Sequence, residues 1–430
     1  MLHIRFIREN VDLIRKNLER RRNRTKLEEF ERLLELDEKL RTLKKEIQDL
    51  RTQRNSLSRE VGKLKKEGSD ASDLMKSVEK VNQKISEIET EAAELEDGLR
   101  RIQMGIPNIL HDSVPYGADE EDNEVVREWG GRPEFKFDVA SHVDLLETLD
   151  IGDIPNAAKI SGSRFYYLKN ELVMLDIAMQ QMALEMLIKK GFTPIYPPFM
   201  MRRAPYEGVT DLADFEDVMY KIEGEDLYLI ATSEHPMVAM HMDDIFEPDD
   251  LPIKLAGIST CFRKEAGSHG KDTKGIFRVH QFGKVEQFVF SHPDESWNIH
   301  EELIRNEEEY IQALKLPYRI VNVCTGDIGI VAAKKYDLEL WMPGQQKYRE
   351  GGSCSNCTAY QATRLNIKYR TKKGGTEKDY LHTLNSTLVA NTRTIVAILE
   401  VYQQDDGSVK IPQALHKYLP AGMKEIVPKD

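Results

Sequence analysis

CFRKEAGSHGKDTKGIFRVHQFGKVEQFVF, residues 261–290, is the stretch that decides the fold. Its flanks carry Phe, Val and Ile between polar residues, and its middle is rich in glycine and lysine, as expected of two strands joined by a loop. Period-two alternation places Arg263 and Glu265 on one face of the outgoing strand, with Arg278 on the returning one. A guanidinium fixed on a sheet can meet a phosphate through two parallel N–H bonds. An Arg–Glu pair on a sheet is more often structural, so the weight rests on the whole hairpin.

Outward from it, residues from about 140 to the end alternate Val-, Ile-, Phe- and Tyr-rich runs with amphipathic helices. FRVHQFGKVEQFVFS (277–291) and IVNVC (320–324) read as strands, and ESWNIHEELIRNEEEYIQAL (295–314) as a helix. Long strands adjacent in sequence predict an α+β layer, a mainly antiparallel sheet flanked by helices. There is no GxxxxGKS/T, GxGxxG or HExxH. An ATP enzyme built this way holds its phosphates without a P-loop.

The amino-terminal third is different. Leu33, Leu36, Leu40, Leu43, Ile47, Leu50, Arg54, Leu57, Val61 and Leu64 recur in steps of three and four. After KKEGSDASD the pattern resumes at Leu74, Val78, Val81, Ile85, Ile88, Ala92, Leu95, Leu99 and Ile102. Such a seam makes a left-handed coiled coil. The Gly68-Ser69-Asp70 break predicts that the second helix folds back on the first, giving a long antiparallel hairpin over about 26–102. A zipper with another chain is the alternative. Helices of roughly 35–40 residues at about 1.5 Å per residue give an arm on the order of 50–60 Å. The predicted divisions are an amino-terminal domain over 1–105, a linker over 106–140 marked by Pro107, Pro115, Gly117 and Gly130-Gly131, and a second domain over 141–430.

The formal net charge of −12 is unevenly spread: residues 1–66 hold 20 Lys and Arg against 12 Asp and Glu. Basic helices can be plain solvated surface, but a basic arm on an acidic body suggests an RNA-binding appendage on an enzyme. No run approaches about eighteen consecutive apolar residues, so no membrane span is expected. Four cysteines in 430 residues are too sparse for a disulfide framework, which fits a reducing, cytoplasmic setting.

The hairpin at 261–290 resembles motif 2 of the class II aminoacyl-tRNA synthetases, in the wording of the seryl type. GFTPIYPPFM (191–200) resembles motif 1, whose proline, here Pro197 or Pro198, lies at the family's dimer interface. HTLNSTLVANTRTIVAILEVYQQDDGSVKIPQAL (382–415) resembles motif 3, with Arg393 as its arginine. IPNILHDSVP, SGSRFYYL, ATSEHP, TGDIG and SCSNCTAYQATR also read as seryl-type signatures, so the resemblance spans essentially the whole chain. It implies a serine–tRNA ligase: ATP-dependent activation of L-serine to seryl-adenylate, then transfer to the 3′ end of tRNA(Ser), with tRNA(Sec) as a further candidate.

The resemblance also implies roles. Arg263 corresponds to the α-phosphate arginine and Arg393 to the one that clamps the γ-phosphate. Phe282 stacks adenine, with Val279 and Glu265 reading its edge, and Lys264, Gly351 and Gly352 complete the ATP-binding set. Glu350 and Ser353 correspond to Mg²⁺ ligands, suitably hard oxygen donors. Thr232, Ser233, Glu234, Arg263, Glu286, Asn385 and Thr387 form the serine site, with Glu286 facing the substrate's ammonium and hydroxyl. On the arm, Arg51, Arg54, Arg59, Lys63, Lys65 and Lys66 are the candidate tRNA contacts. The family further implies a homodimer.

Two departures stand out. Bacterial-type relatives carry a hydrophobic residue and Ser where this chain has Gly351-Gly352, and NSTLVANTR around Thr387 is archaeal-like. The lone Cys354-Ser-Asn-Cys357 invites a zinc reading, but tetrahedral zinc needs four ligands and no second pair exists, so no zinc is expected. An amino acid:carrier-protein ligase lacks the arm, and a catalytically silent RNA-binding paralogue predicts loss of Arg263, Glu286 or Arg393. All three are present.

Overall fold

A computed structural model describes residues 1–211, 218–266, 272 and 274–429. The glycine- and lysine-rich centre of the 261–290 hairpin lies largely outside the described residues. The chain forms two compact units, Leu2–Pro107 and Asn108–Asp430.

In the first unit, short helices at Ile4–Glu9 and Val11–Arg20 precede α1 (Arg24–Lys66) and α2 (Ser72–Gly105). Every seam position named above is buried or half-buried, and Leu40, Ile47, Ile88, Ala92 and Leu99 form one apolar cluster. The two helices therefore pack on each other. Ion pairs cross between them at Lys39–Glu91 (3.0 Å), Lys44–Glu96 (3.1 Å), Arg51–Glu89 (2.7 Å) and Lys84–Glu46 (2.7 Å), as antiparallel register requires. Exposed pairs of this kind each contribute about 0–1 kcal/mol, so the seam, not the charges, holds the hairpin. At the tip, Ser69 N–H donates to Leu64 O and Gly68 N–H to Lys65 O, with Gly68 at φ 71°. This Schellman arrangement stops α1. Asp70 then accepts from Ser72 N–H at 2.9 Å and starts α2.

The second unit is built on an eight-stranded sheet. Its strands are β1 (Glu124–Trp129), β2 (Thr193–Ile195), β3 (Ile253–Phe262), β4 (Gln281–Ser291), β5 (Tyr318–Asn322), β6 (Lys334–Met342), β7 (Lys347–Asn356) and β8 (His382–Ala390). They lie in the order β1-β5-β6-β7-β8-β4-β3-β2, antiparallel throughout except for β2 beside β3. Three helices, α3 (Glu171–Lys189), α4 (Ser296–Ala313) and α5 (Asn391–Tyr402), bury apolar faces in the same core as Val285, Val289, Leu384 and Leu388. Phe288 and Phe290 point the other way, into a second, smaller core.

Two expectations are corrected. Residues 106–140 are not a linker: β1 pairs with β5, and the Asn108 side-chain amide donates to Val331 O and Cys357 O. The glycines and prolines that suggested a linker bracket a six-residue edge strand. The hairpin strands are also shorter than the alternation implied, ending at Phe262 and resuming at Gln281. Glu265 sits at φ 52°, which no strand accommodates, so Arg263, Glu265 and Arg278 lie in irregular backbone rather than on a sheet face.

Candidate active site

The side chains of β4 alternate, so Phe282, Lys284 and Glu286 share one face while Val285 enters the helix-side core. On neighbouring β8, Asn385 and Thr387 face the same way, with Thr387 directly opposite Glu286. These positions, the β7 segment 350–353, the 277–279 approach to β4 and the start of α5 enclose one cavity. Of the expected catalytic, ATP and serine residues, all line it except Lys264 and Ser233. Ser233 is buried, its hydroxyl directed at Gly257 O at 3.4 Å.

Arg263 keeps its place although the strand has ended. Its N–H donates to His280 O at 2.9 Å, its Nε to Ala231 O at 3.3 Å, and its guanidinium lies 5.3 Å from the Phe282 ring centroid. Arg278 Nη1 donates to Glu265 at 2.9 Å. At the opposite wall Arg393 Nη1 donates to Glu350 O at 2.9 Å and lies 3.1 Å from that residue's carboxylate. Desolvation raises the Glu350 carboxyl, but the charges of Arg393, Lys335 and Arg263 outweigh it and bring it to about 2. A cationic wall and a firmly ionised carboxylate thus share one cavity.

Between them lies a polar pocket. Glu286 is buried, paired with Lys284 and reached by the Thr387 hydroxyl at 3.4 Å. Glu234 accepts from Gln361 Nε2 at 2.7 Å, and Gln361 is itself held by the Thr383 hydroxyl at 2.7 Å. Desolvation, aided by the charge of Glu286, pushes the Glu234 carboxyl up to about 7.

Lys284, Phe277 and Thr392, which the sequence did not single out, also line the cavity, as does Arg278, expected on the returning strand. Lys284 was findable, since it stands midway between Phe282 and Glu286 in a period-two strand. Gly352 has a local cause: an ideal Cβ there would lie 2.1 Å from an oxygen of buried Glu307. Cys354 and Cys357 are buried free thiols, raised by desolvation, and Asn385 Nδ2 contacts Cys357 Sγ at 3.6 Å. Among the described residues no group of three or more His, Cys, Asp or Glu is gathered as for a metal, and no helix is long and apolar enough to cross a membrane.

Comparison with known proteins gives a consistent picture. Residues 218–402 match the tRNA synthetase class II core domain (G, H, P, S and T), and residues 1–110 match the seryl-tRNA synthetase N-terminal domain. The chain is 57% identical over 367 residues to a serine–tRNA ligase of Methanoculleus marisnigri, covering 85% of this chain and 86% of that one. It superposes on the crystal structure of seryl-tRNA synthetase from Pyrococcus horikoshii complexed with ATP with a TM-score of 0.94, at 51% identity and full coverage of both chains. The cytoplasmic serine–tRNA ligase of Naegleria fowleri in complex with AMP gives a TM-score of 0.87 at 38% identity, covering 98% of this chain and 96% of that one.

Proposed function

The chain belongs to the seryl-tRNA synthetase family, and on that premise we propose how its residues divide the work. It is a serine–tRNA ligase, a class II enzyme that activates serine with ATP and loads it onto tRNA. The observation that supports the division of roles is the gathering of the cationic wall and the carboxylate pocket in one cavity.

The serine carboxylate attacks the α-phosphorus, the bond to the bridging oxygen breaks, and pyrophosphate leaves with that electron pair. The attacking carboxylate is already ionised, so no general base is needed, and catalysis is positioning plus charge neutralisation. Arg263 holds the α-phosphate against adenine stacked on Phe282, and Arg393 holds the far end of the triphosphate. Mg²⁺ would be held by Glu350 and Ser353, whose oxygens suit it, and would neutralise phosphate charge there. A hydroxyl of the tRNA 3′ end then displaces AMP from the adenylate. Amino-acid-dependent ATP–pyrophosphate exchange across the standard amino acids tests the assignment: serine alone should support rapid exchange, and equal exchange with another amino acid would sink it.

Glu234 and Glu286 receive the serine ammonium and hydroxyl. Glu286 already has Lys284 and Thr387 as partners, which leaves Glu234 the better placed to respond to an added cation. A carboxyl raised to about 7 is largely protonated at pH 6, and an ammonium beside it favours the ionised form. Serine binding therefore releases protons and weakens as pH falls. We expect KM for serine to rise roughly fivefold to tenfold from pH 7.5 to 6, and Glu234→Gln to flatten that dependence at a higher KM. A wild-type KM constant over this range would remove Glu234 from the serine site.

The protein is further proposed to be a cytoplasmic homodimer. Val173, Ile177 and Ile188 on α3, just before the motif-1-like segment, and Tyr196 and Met200 within it are exposed, Tyr196 at 74%. A protein rarely leaves such apolar side chains to water in series. Sedimentation at micromolar concentration should return twice the 49.5 kDa chain mass, and a monomer would count against it.

A further inference from the structure

Outside the cavity, one buried polar pair plays no part in the chemistry above. Glu400, fully buried near the end of α5, accepts from His142 N–H at 3.2 Å and from its ring Nδ1 at 3.0 Å on one oxygen. Its other oxygen accepts from Gly344 N–H at 2.8 Å, in the turn between β6 and β7. A buried carboxylate is retained only when its lone pairs are satisfied, and here the donors come from two distant parts of the chain, residues 142 and 344. His142 is 5% exposed. With its proton on Nδ1, facing Glu400, its Nε2 is left as an acceptor. Ile276 N–H approaches that nitrogen at 3.4 Å.

Ile276 lies in the returning part of the 263–280 connection, and Phe277 and Arg278, next in sequence, line the cavity. The approach is close enough to dictate residue type. Gly275 stands at φ 78°, and a Cβ on it would lie 2.0 Å from His142 Nε2. The backbone leading into His142 is tied to the same helix region: Ala140 N–H donates to Gln403 Oε1 at 2.8 Å, and Gln403 Nε2 returns a bond to Ala140 O at 3.1 Å. Helix α5 carries Arg393 at its start and Glu400 near its end, and β7, entered through the Gly344 turn, carries Glu350. Three walls of the cavity thus meet at two buried side chains.

We propose that His142 and Glu400 are positioning residues for ATP: they lock the returning part of the 263–280 connection, and with it Phe277 and Arg278, to the helix of Arg393 and the strand of Glu350. The inference rests on ATP occupying this cavity. Neither residue touches the reacting atoms. The lock acts through the Ile276 N–H, so it is separable from the stabilising half of the network, the bond to Glu400.

Two substitutions of His142 in the full-length protein divide the network, and one of Gly275 tests the loop alone. His142→Asn keeps a donor toward Glu400 but is too short to accept from Ile276. His142→Gln places an acceptor near the Nε2 position and gives up the Glu400 bond. Gly275→Ala drives the loop away from the ring without changing the ring. We expect His142→Asn and Gly275→Ala to raise KM for ATP roughly tenfold while KM for serine stays within about twofold, and His142→Gln to keep KM for ATP while lowering Tm. Amide hydrogen exchange of a peptide covering 274–282 should accelerate in His142→Asn and Gly275→Ala and not in His142→Gln. A folded His142→Asn protein with wild-type KM for ATP and wild-type exchange would overturn the proposal. So would equal losses toward ATP and serine, or a His142→Gln variant as impaired as His142→Asn. If wild-type protein shows no serine-dependent exchange, the assignment of the cavity fails instead, and the hydrogen-exchange comparison still decides the lock.

Discussion

Arg263→Ala should lower serine-dependent ATP–pyrophosphate exchange by a factor on the order of 10²–10³, the usual loss when one preorganised donor to transition-state charge is removed. The expectation follows from how the side chain is held. Its backbone is pinned to His280 at 2.9 Å, its Nε is used by Ala231 O, and Phe282 flanks the guanidinium. What remains directed at the cavity is the pair of terminal nitrogens, already oriented before ATP arrives. Orientation fixed in advance costs nothing at the moment of reaction, so its removal is felt in kcat as well as in KM. Arg263→Lys separates charge from geometry. A lysine keeps one positive charge but no planar fork, so it should recover only a small part of the lost rate. The buried packing around the site contains no ion pair to Arg263 among the described residues, so the variant should fold. A wild-type exchange rate in folded Arg263→Ala would dismiss it as the α-phosphate ligand. A fully active Arg263→Lys would leave the charge and discard the fork.

The parts legible in the sequence are those that repeat. The α1–α2 seam could be read because packing of two helices imposes one period over about seventy residues, and even Arg54 falls on it, half-buried in the structure. Phe282 and Glu286 were reached through the resemblance to motif 2, and the strand's period of two accounts for their sharing one face. Single, long-range events were not readable. Nothing local signals that the strand ends at Phe262, or that Glu265 beyond it takes a positive φ and accepts from Arg278 across the connection. Glu400 looks like any solvated helix glutamate until residue 142, 258 positions earlier, folds against it. Glu124–Trp129 looked like linker because edge strands are short and mostly exposed, which removes the alternation that betrays an internal strand.

Arm and catalytic chemistry should separate cleanly when the hairpin is shortened. Arg51 faces Glu89 across the two helices, so replacing residues 52–88 with a short glycine linker joins the helices at matched height. It retains the Lys44–Glu96 and Lys39–Glu91 crossings and the Arg8–Asp37 and Arg15–Glu31 pairs nearer the base. Serine-dependent exchange should stay within about twofold, while charging of tRNA falls by at least about 10²-fold. The Arg51–Glu89 pair also narrows the choice of tRNA-binding cations: Arg51 is committed within the arm, whereas Arg59, Lys63, Lys65 and Lys66 form no ion pair among the described residues. These four lie in the last turns of α1, where the seam consumes the apolar side and leaves the cations outward. Side chains so placed read phosphate and shape, since double-helical RNA offers few base edges to them. In the full-length protein, changing all four to Ala should weaken tRNA binding and reduce its log–log salt slope by roughly 3, at about 0.7–0.9 for each phosphate no longer neutralised. Exchange of pyrophosphate should not change, because the deleted charges lie in the arm and not in the cavity. If the shortened protein charged tRNA as well as the full chain, the hairpin would have some other task, and the cations near its tip would be solvated surface after all.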